Sequence, residues 1–317
     1  MTSIDMSAEE PEKNSKPNSE LNSEPTPFTL TSSHGNGSPS KWLITSPHSG
    51  HYYPRDFILK SKLDSQQLRL SEDMHIDALL ADAPQAGAGL LSATYPRAYV
   101  DLNREPYELD ASMFSDPLPD YVNKDSTRVL GGLGTIAKIV TERLEIYDRP
   151  LVFSEAEQRI EKIYFPFHTC LKQQIETARD FWGKAYLLDV HSMPSNAVRK
   201  YKGGKSGSVD FVLGNRHGRS CDADIYDVVY DFLTDAGYYV EKNKPYAGGY
   251  ITEHYGNPSE GFHTLQLEVN RKLYMNETSY DLLGNSDEIR NLFSDLVSTL
   301  INKTHENVQR RLNDDRA

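Results

Sequence analysis

The chain has 317 residues, 38% hydrophobic and 25% charged, ordinary values for a soluble globular protein, and its length allows one large α/β domain or two small ones. Its 46 acidic and 34 basic residues leave a net charge of -12, the wrong sign for a nucleic-acid surface, although a local basic pocket for a small anion stays open. Two cysteines, Cys170 and Cys221, make neither a disulfide framework nor a zinc ribbon, and no run reaches the ~18 apolar residues of a membrane span. A cytoplasmic protein with no membrane and no nucleic-acid partner is expected.

Residues 1–40 are rich in Ser, Pro, Asn and Glu and poor in large apolar side chains, so a disordered low-complexity tail is expected there, followed by one domain over 41–317. "KWLITS" (41–46) predicts a buried strand, and "LSEDMHIDALLADA" (70–83) a helix with Ser71 as a candidate N-cap. "GAGLLSATYP" (87–96) and "AYVDLN" (98–103) predict two more strands. Residues 154–182 predict a helix opened by a Ser154–Glu157 capping box and interrupted at Pro166.

Strands follow in "AYLLDVHS" (185–192) and "VDFVLGN" (209–215). A helix over 221–237 ends at a glycine signal, and "YYVEKN" (238–243) and "HTLQLEVN" (263–270) predict the last strands. A final helix, roughly 285–310, carries Ile289, Leu292, Phe293, Leu296, Leu300 and Ile301 at core-packing spacing. This alternation predicts a single α/β domain with a mixed, mainly parallel central sheet flanked by helices. Its site should lie at the carboxyl ends of strands.

Two of those ends carry a histidine. His48 lies in "ITSPHSGHYYP" (44–54) and His191 in "YLLDVHSMPS" (186–195). A lone strand-end histidine is usually structural, but two facing one crevice suit a shared metal, and neutral imidazole is the commonest zinc ligand. Asp189 could hold the tautomer of His191 or belong to another network. A catalytic zinc needs a third protein ligand, and "SEDMHID" offers Glu72, Asp73, His75 and Asp77 without deciding among them.

In "RAYVDLNREP" (97–106), Arg97, Asp101, Asn103 and Arg104 follow an apolar run; an arginine there could anchor an acidic substrate or form a surface ion pair. Glu268 sits in the apolar run "TLQLEV" on the side of Gln266 and Thr264. A carboxylate so placed must be paired or functional, and beside a metal-activated water it would be the general base. Gly248, Gly249 and Gly256 mark turns that could shape a pocket.

Taken in order, "SPHSG", "DMHID", "YPRAYVDLNR", "GLGTIAKIV", "IYFPFHTCL", "LLDVHSMPS", "DFVLGNRHGRSCD", "GGYITEHYG" and "LQLEVNRKLYM" resemble the N-formylglutamate amidohydrolase family. That family is a branch of the zinc carboxypeptidase-like and aspartoacylase-like hydrolases, and the resemblance spans roughly 42–276. It implies a carboxypeptidase-like fold and one zinc ion on His48, Asp73 and His191, with Glu72 the substitute if Asp73 is wrong. It also implies Glu268 as general base, Arg97 at the oxyanion, and Asn103 with Arg104 on the substrate carboxylate. His168 and His254 are further pocket candidates.

The implied reaction is zinc-dependent hydrolysis of an N-acyl amino acid, foremost N-formyl-L-glutamate to glutamate and formate. Two other readings stand beside it: an amidase for another N-acyl amino acid or a cell-wall peptide, and a metal-binding module without turnover.

Overall fold

The computed structural model describes residues 24–33 and 37–314. Seven strands form one sheet: β1 Phe28–Thr31, β2 Trp42–Ser46, β3 Gly89–Ala93, β4 Ala185–Met193, β5 Phe211–Gly214, β6 Val240–Lys242 and β7 Phe262–Asn270. Their order is β1-β3-β2-β4-β7-β5-β6. The pairs β3–β2, β2–β4, β4–β7 and β5–β6 are parallel, whereas β1–β3 and β7–β5 are antiparallel. The sheet is therefore mixed and mainly parallel. Every residue of β4 is buried, as a central strand covered on both faces requires.

The helices are α1 Arg55–Leu59, α2 Ser65–Leu68, α3 Ile76–Leu79, α4 Thr127–Leu130, α5 Phe153–Arg159, α6 Phe165–Trp182, α7 Ala223–Asp235, α8 Tyr250–Tyr255 and α9 Ser286–Asp314. Alternation along the strands divides the core. Trp42, Ile44, Leu188, Val190, Leu265 and Leu267 face α3, α7 and α9; Leu43, Leu91 and Leu187 face α6 and the long irregular segment between β3 and α5. In α9 the predicted stripe is the packing face, with Ile289, Leu292, Phe293, Leu296 and Leu300 all buried. No helix among the described residues is long and apolar enough to cross a membrane.

Several expectations change. Residues 28–31, within the expected tail, form β1, whose alternate residues are half-buried because it adds to the edge of β3; residues 1–23 lie outside the described part. "AYVDLN" is not a strand. Val100 and Leu102 are buried in its alternating pattern, but the Tyr99 and Val100 amides bond to the Pro96 carbonyl and the Asp101 amide bonds to Thr135, which curls the chain.

The helix expected over 70–83 is reduced to the single turn of α3. The Asp73 amide is held by the His48 carbonyl at 2.9 Å, and His75, rather than Ser71, precedes the helix in a left-handed conformation (φ 66°). In the 154–182 helix, α5 starts at Phe153 and takes its cap from Asp116 of a distant loop, at 2.9 Å, instead of Ser154. The interruption at Pro166 is a π-helical turn over Ile160–Tyr164, which lets the helix continue past a residue with no amide proton.

Replacing a fully buried stripe residue tests this packing. Leu296→Ala should lower unfolding free energy by about 2–5 kcal/mol, read as a lower urea midpoint at unchanged m value.

Candidate metal and acid–base centre

β2 and β4 are parallel neighbours with Thr45 opposite Asp189, so both chains leave the sheet at the same end. His48 follows β2 in a turn closed by Ser46 and Ser49, whose hydroxyls lie 2.9 Å apart. His191 stands near the end of β4. The loop after α2 then brings Asp73 between them, tied by the backbone bond to His48. Asp73 Oδ2 lies 2.9 Å from His191 Nδ1 and 3.4 Å from His48 Nδ1, and the three ligand atoms all lie within 4.8 Å of one another.

These groups fit a metal ion. A tetrahedral zinc with bonds of about 2.0 Å separates its ligands by about 3.3 Å. His48 Nδ1 is buried and has no hydrogen-bond partner, as a nitrogen kept for an ion would be. The outer nitrogen of each ring is held by a carboxylate: His48 Nε2 by Asp101 at 2.7 Å, and His191 Nε2 by Asp189 at 3.0 Å. Each acid accepts from the outer nitrogen of its imidazole and turns the other nitrogen, Nδ1, toward Asp73, the orientation that supports metal ligation. Glu72 does not compete, because Tyr53 and Arg69 bind its carboxylate away from the pair of histidines.

Opposing charges set the electrostatics. Burial alone would raise the Asp73 carboxyl, but His191 and His48 hold it well below the usual carboxylate range. Burial likewise opposes charge on Asp101, yet Arg104, Arg97 and His48 keep it well below its ordinary value. For His191, Asp189 and Asp73 outweigh burial and raise the ring well above the usual histidine range. Glu268 lies opposite His191 in the parallel register of β7 with β4, so the two side chains share a face. Burial pushes its carboxyl up to about 7, against the pull of His191 and Arg97. Gln266 Nε2 donates to Glu268 Oε1 at 2.8 Å.

These residues line a cavity of about 570 Å³. Arg97 reaches it and donates to Asp101 Oδ2 at 2.8 Å with 23% of its side chain exposed. Asn103 and Arg104 line it too, but much of their hydrogen bonding is internal. Asn103 Oδ1 accepts from the Ile251 amide at 2.7 Å, and its Nδ2 donates to Asp189 at 3.4 Å. Arg104 donates to the carbonyls of Leu133 and Asn103, with Nη2 3.4 Å from Asp101. Burial pushes its guanidinium down to about 10, still charged at neutral pH.

Gly249 must lack a side chain, because a Cβ there would stand 2.5 Å from Asn103 Nδ2. His168 and His254 are not brought to this cavity. His168 is buried between the Tyr255 hydroxyl and the Leu102 carbonyl, and burial lowers its pKa to about 3; it pins α6 to the neighbouring segments. His254 is exposed and stacks on Tyr250.

Other cavity residues carried little sequence signal. Arg271, just after β7, donates to Ser192 Oγ at 3.0 Å and lies 3.5 Å from Asp73, while Ser192 donates to Asp73 Oδ1 at 3.0 Å. Arg128 of α4 and Arg216 of the turn after β5 complete a set of five arginines, with Arg97, Arg104 and Arg271. Arg216 and His217 are consecutive left-handed residues, at φ 52° and 57°. Such a pair costs roughly 1–2 kcal/mol per residue, and it is sustained by Asn243 Oδ1, which accepts from the amides of Asn215 and His217.

The sequence profile of the N-formylglutamate amidohydrolase family matches residues 40–275. The N-formylglutamate deformylase of Pseudomonas putida is 29% identical over 239 residues, which cover 74% of this chain and 82% of that protein. The enzyme of the same name from Pseudomonas aeruginosa is 28% identical over the same shares. The crystal structure of N-formylglutamate amidohydrolase from Ralstonia eutropha JMP134 superposes with a TM-score of 0.82 at 33% identity, covering 89% of this chain and 99% of that one. With that profile spanning most of the chain, this protein belongs to the N-formylglutamate amidohydrolase family, hydrolases that act on an amide bond.

Proposed function

We propose that this chain hydrolyses the formyl amide of N-formyl-L-glutamate, with one zinc ion held by His48, Asp73 and His191. The observation that carries this reading is the convergence of His48 Nδ1, Asp73 Oδ2 and His191 Nδ1 on one point, with Glu268 on the same face of the sheet. The names of its relatives supply the substrate. A zinc ion in that position supplies a Lewis acid and makes a water acidic enough to ionise near neutral pH.

Glu268 accepts the proton of the attacking water, for which a carboxyl raised to about 7 is matched in basicity. Arg97 has guanidinium donors beyond the one held by Asp101 and stabilises the negative charge on the carbonyl oxygen. Glu268 then returns the proton to the leaving nitrogen, so glutamate departs as the amine and formate as the acid. Asp101 and Asp189 keep the two imidazoles oriented throughout. Arg104 meets one substrate carboxylate at the cavity wall, and Asn103 fixes that wall from behind.

Three outcomes are expected. The purified protein should carry about one zinc per chain, lose activity on chelation and recover it with zinc; His191→Ala should lower the metal content measured by mass spectrometry. Glu268→Gln should keep the metal and lower kcat by about 10²–10⁴-fold; an unchanged kcat would rule Glu268 out as the base. An ionised base is required, so kcat/KM should fall with decreasing pH once Glu268 protonates. Because a bound cation lowers the carboxyl further, the limb should show an apparent pKa no higher than about 7 and should be absent in Glu268→Gln.

A further inference from the structure

A second cavity, of about 500 Å³, backs onto the segment that carries Arg97. Side chains part along that segment: Arg97 lines the reaction cavity, whereas Tyr95 and Tyr99 line the second. The two cavities share no lining residue.

Arg159, the last residue of α5, lines the second cavity and is only 5% exposed. Its Nη1 donates to the Tyr147 hydroxyl at 2.6 Å and to the Tyr99 carbonyl at 3.3 Å. The Tyr99 ring centroid lies 4.2 Å from its central carbon, with Phe57 and Tyr147 each at 5.6 Å. Rings cover the faces of a guanidinium but leave its N–H edge without an acceptor. Nε and Nη2, the side-on pair that matches two carboxylate oxygens, make no hydrogen bond among the described residues.

The acids of the cavity do not meet this edge. Glu155 is bonded to Lys60 at 2.5 Å and reaches Arg159 only through its field, while Glu24 and Asp56 are exposed. A buried cation is ordinarily matched by an acid that accepts its hydrogen bonds, and here no such acid is present among the described residues. Beside the open edge runs a file of rings. Tyr95 lies against Tyr99 with centroids 5.7 Å apart, and Tyr52 stands edge-on to Tyr95 at 5.2 Å. A cationic fork next to aromatic surface suits a ligand with one carboxylate and a flat apolar body.

We propose that this cavity is a second ligand site, one that takes a small aromatic carboxylate with its oxygens on Nε and Nη2 of Arg159 and its ring against Tyr52 and Tyr95. Such a ligand binds apart from the reaction centre and rests on the segment that carries Arg97. The inference does not depend on the hydrolysis proposed above.

Calorimetric titration of the zinc-loaded, full-length protein tests it, with benzoate as the probe. Benzamide serves as the neutral isostere, and inorganic phosphate as an oxyanion without a ring. Benzoate should bind more tightly than either. Arg159→Met should weaken it by about 10–100-fold, the loss of a charge-assisted fork, and Arg159→Lys should recover part of that loss. Because Arg159 also holds Tyr99 and Tyr147, a variant at an exposed position guards against misfolding: Tyr52→Ala should weaken benzoate by about 2–10-fold. Glu268→Gln, in the other cavity, should leave benzoate affinity unchanged.

A wild type that ignores benzoate, or that takes benzamide or phosphate equally well, would overturn the proposal. So would unchanged affinity in Tyr52→Ala, or an affinity altered by Glu268→Gln, which would put the probe in the reaction cavity.

Discussion

One carboxylate oxygen, Asp73 Oδ2, stands between two imidazole nitrogens, and the rest of the centre is organised to hold it there. Three buried ionisable groups so close together carry a large desolvation cost, which is tolerable only if each is balanced. Asp101 and Asp189 balance the histidines from outside, Arg97 and Arg104 balance Asp101, and Ser192 and Arg271 hold the other Asp73 oxygen. The charges form alternating shells, acid against base, around a point where three lone-pair atoms meet. That order accounts for three of the five arginines lining the cavity, Arg97, Arg104 and Arg271.

The sheet makes the shells possible. Parallel β2, β4 and β7 are adjacent and run the same way, so His191 and Glu268 come from neighbouring strands and His48 from the turn directly after β2. Rigid strand ends fix directions for side chains that must stay within tenths of an ångström of a productive position. The helices on the far face, α9 above all, exclude water from the other side of those strands without touching the chemistry. Core and site are thus separated by the alternation of side chains along each strand.

How far the sequence disclosed this depended on how local each feature is. An apolar run ending in histidine is a local pattern, and both His48 and His191 were legible from it; so was Glu268, an acid in an otherwise buried strand. The choice between Glu72 and Asp73 was not, because a hydrogen bond to His48, distant in sequence, decides which carboxylate turns inward. Asp101 looked like part of a strand because Val100 and Leu102 alternate with polar residues, yet turns produce that burial. β1 escaped notice because four residues of modest hydropathy become a strand only against the edge of β3. Arg216 gave no signal either, since its place depends on a strained turn locked by Asn243.

Gln266 gives the centre a fixed polarity. Its Oε1 accepts from the Gly249 amide at 2.6 Å and the Thr252 hydroxyl at 3.2 Å, so its Nε2 must point at Glu268. Turned over, the amide would set its NH₂ against the Gly249 N–H and its oxygen against a carboxylate, and both contacts would be lost. A backbone amide at the start of α8 therefore dictates, through one side chain, that Glu268 always meets a donor. That donor favours the ionised form of Glu268 and works against the burial that would keep it protonated. The segment shaping the cavity and the acidity of Glu268 are in this way mechanically linked, so a shift of one backbone bond would be felt as a change in the proton affinity of that carboxyl.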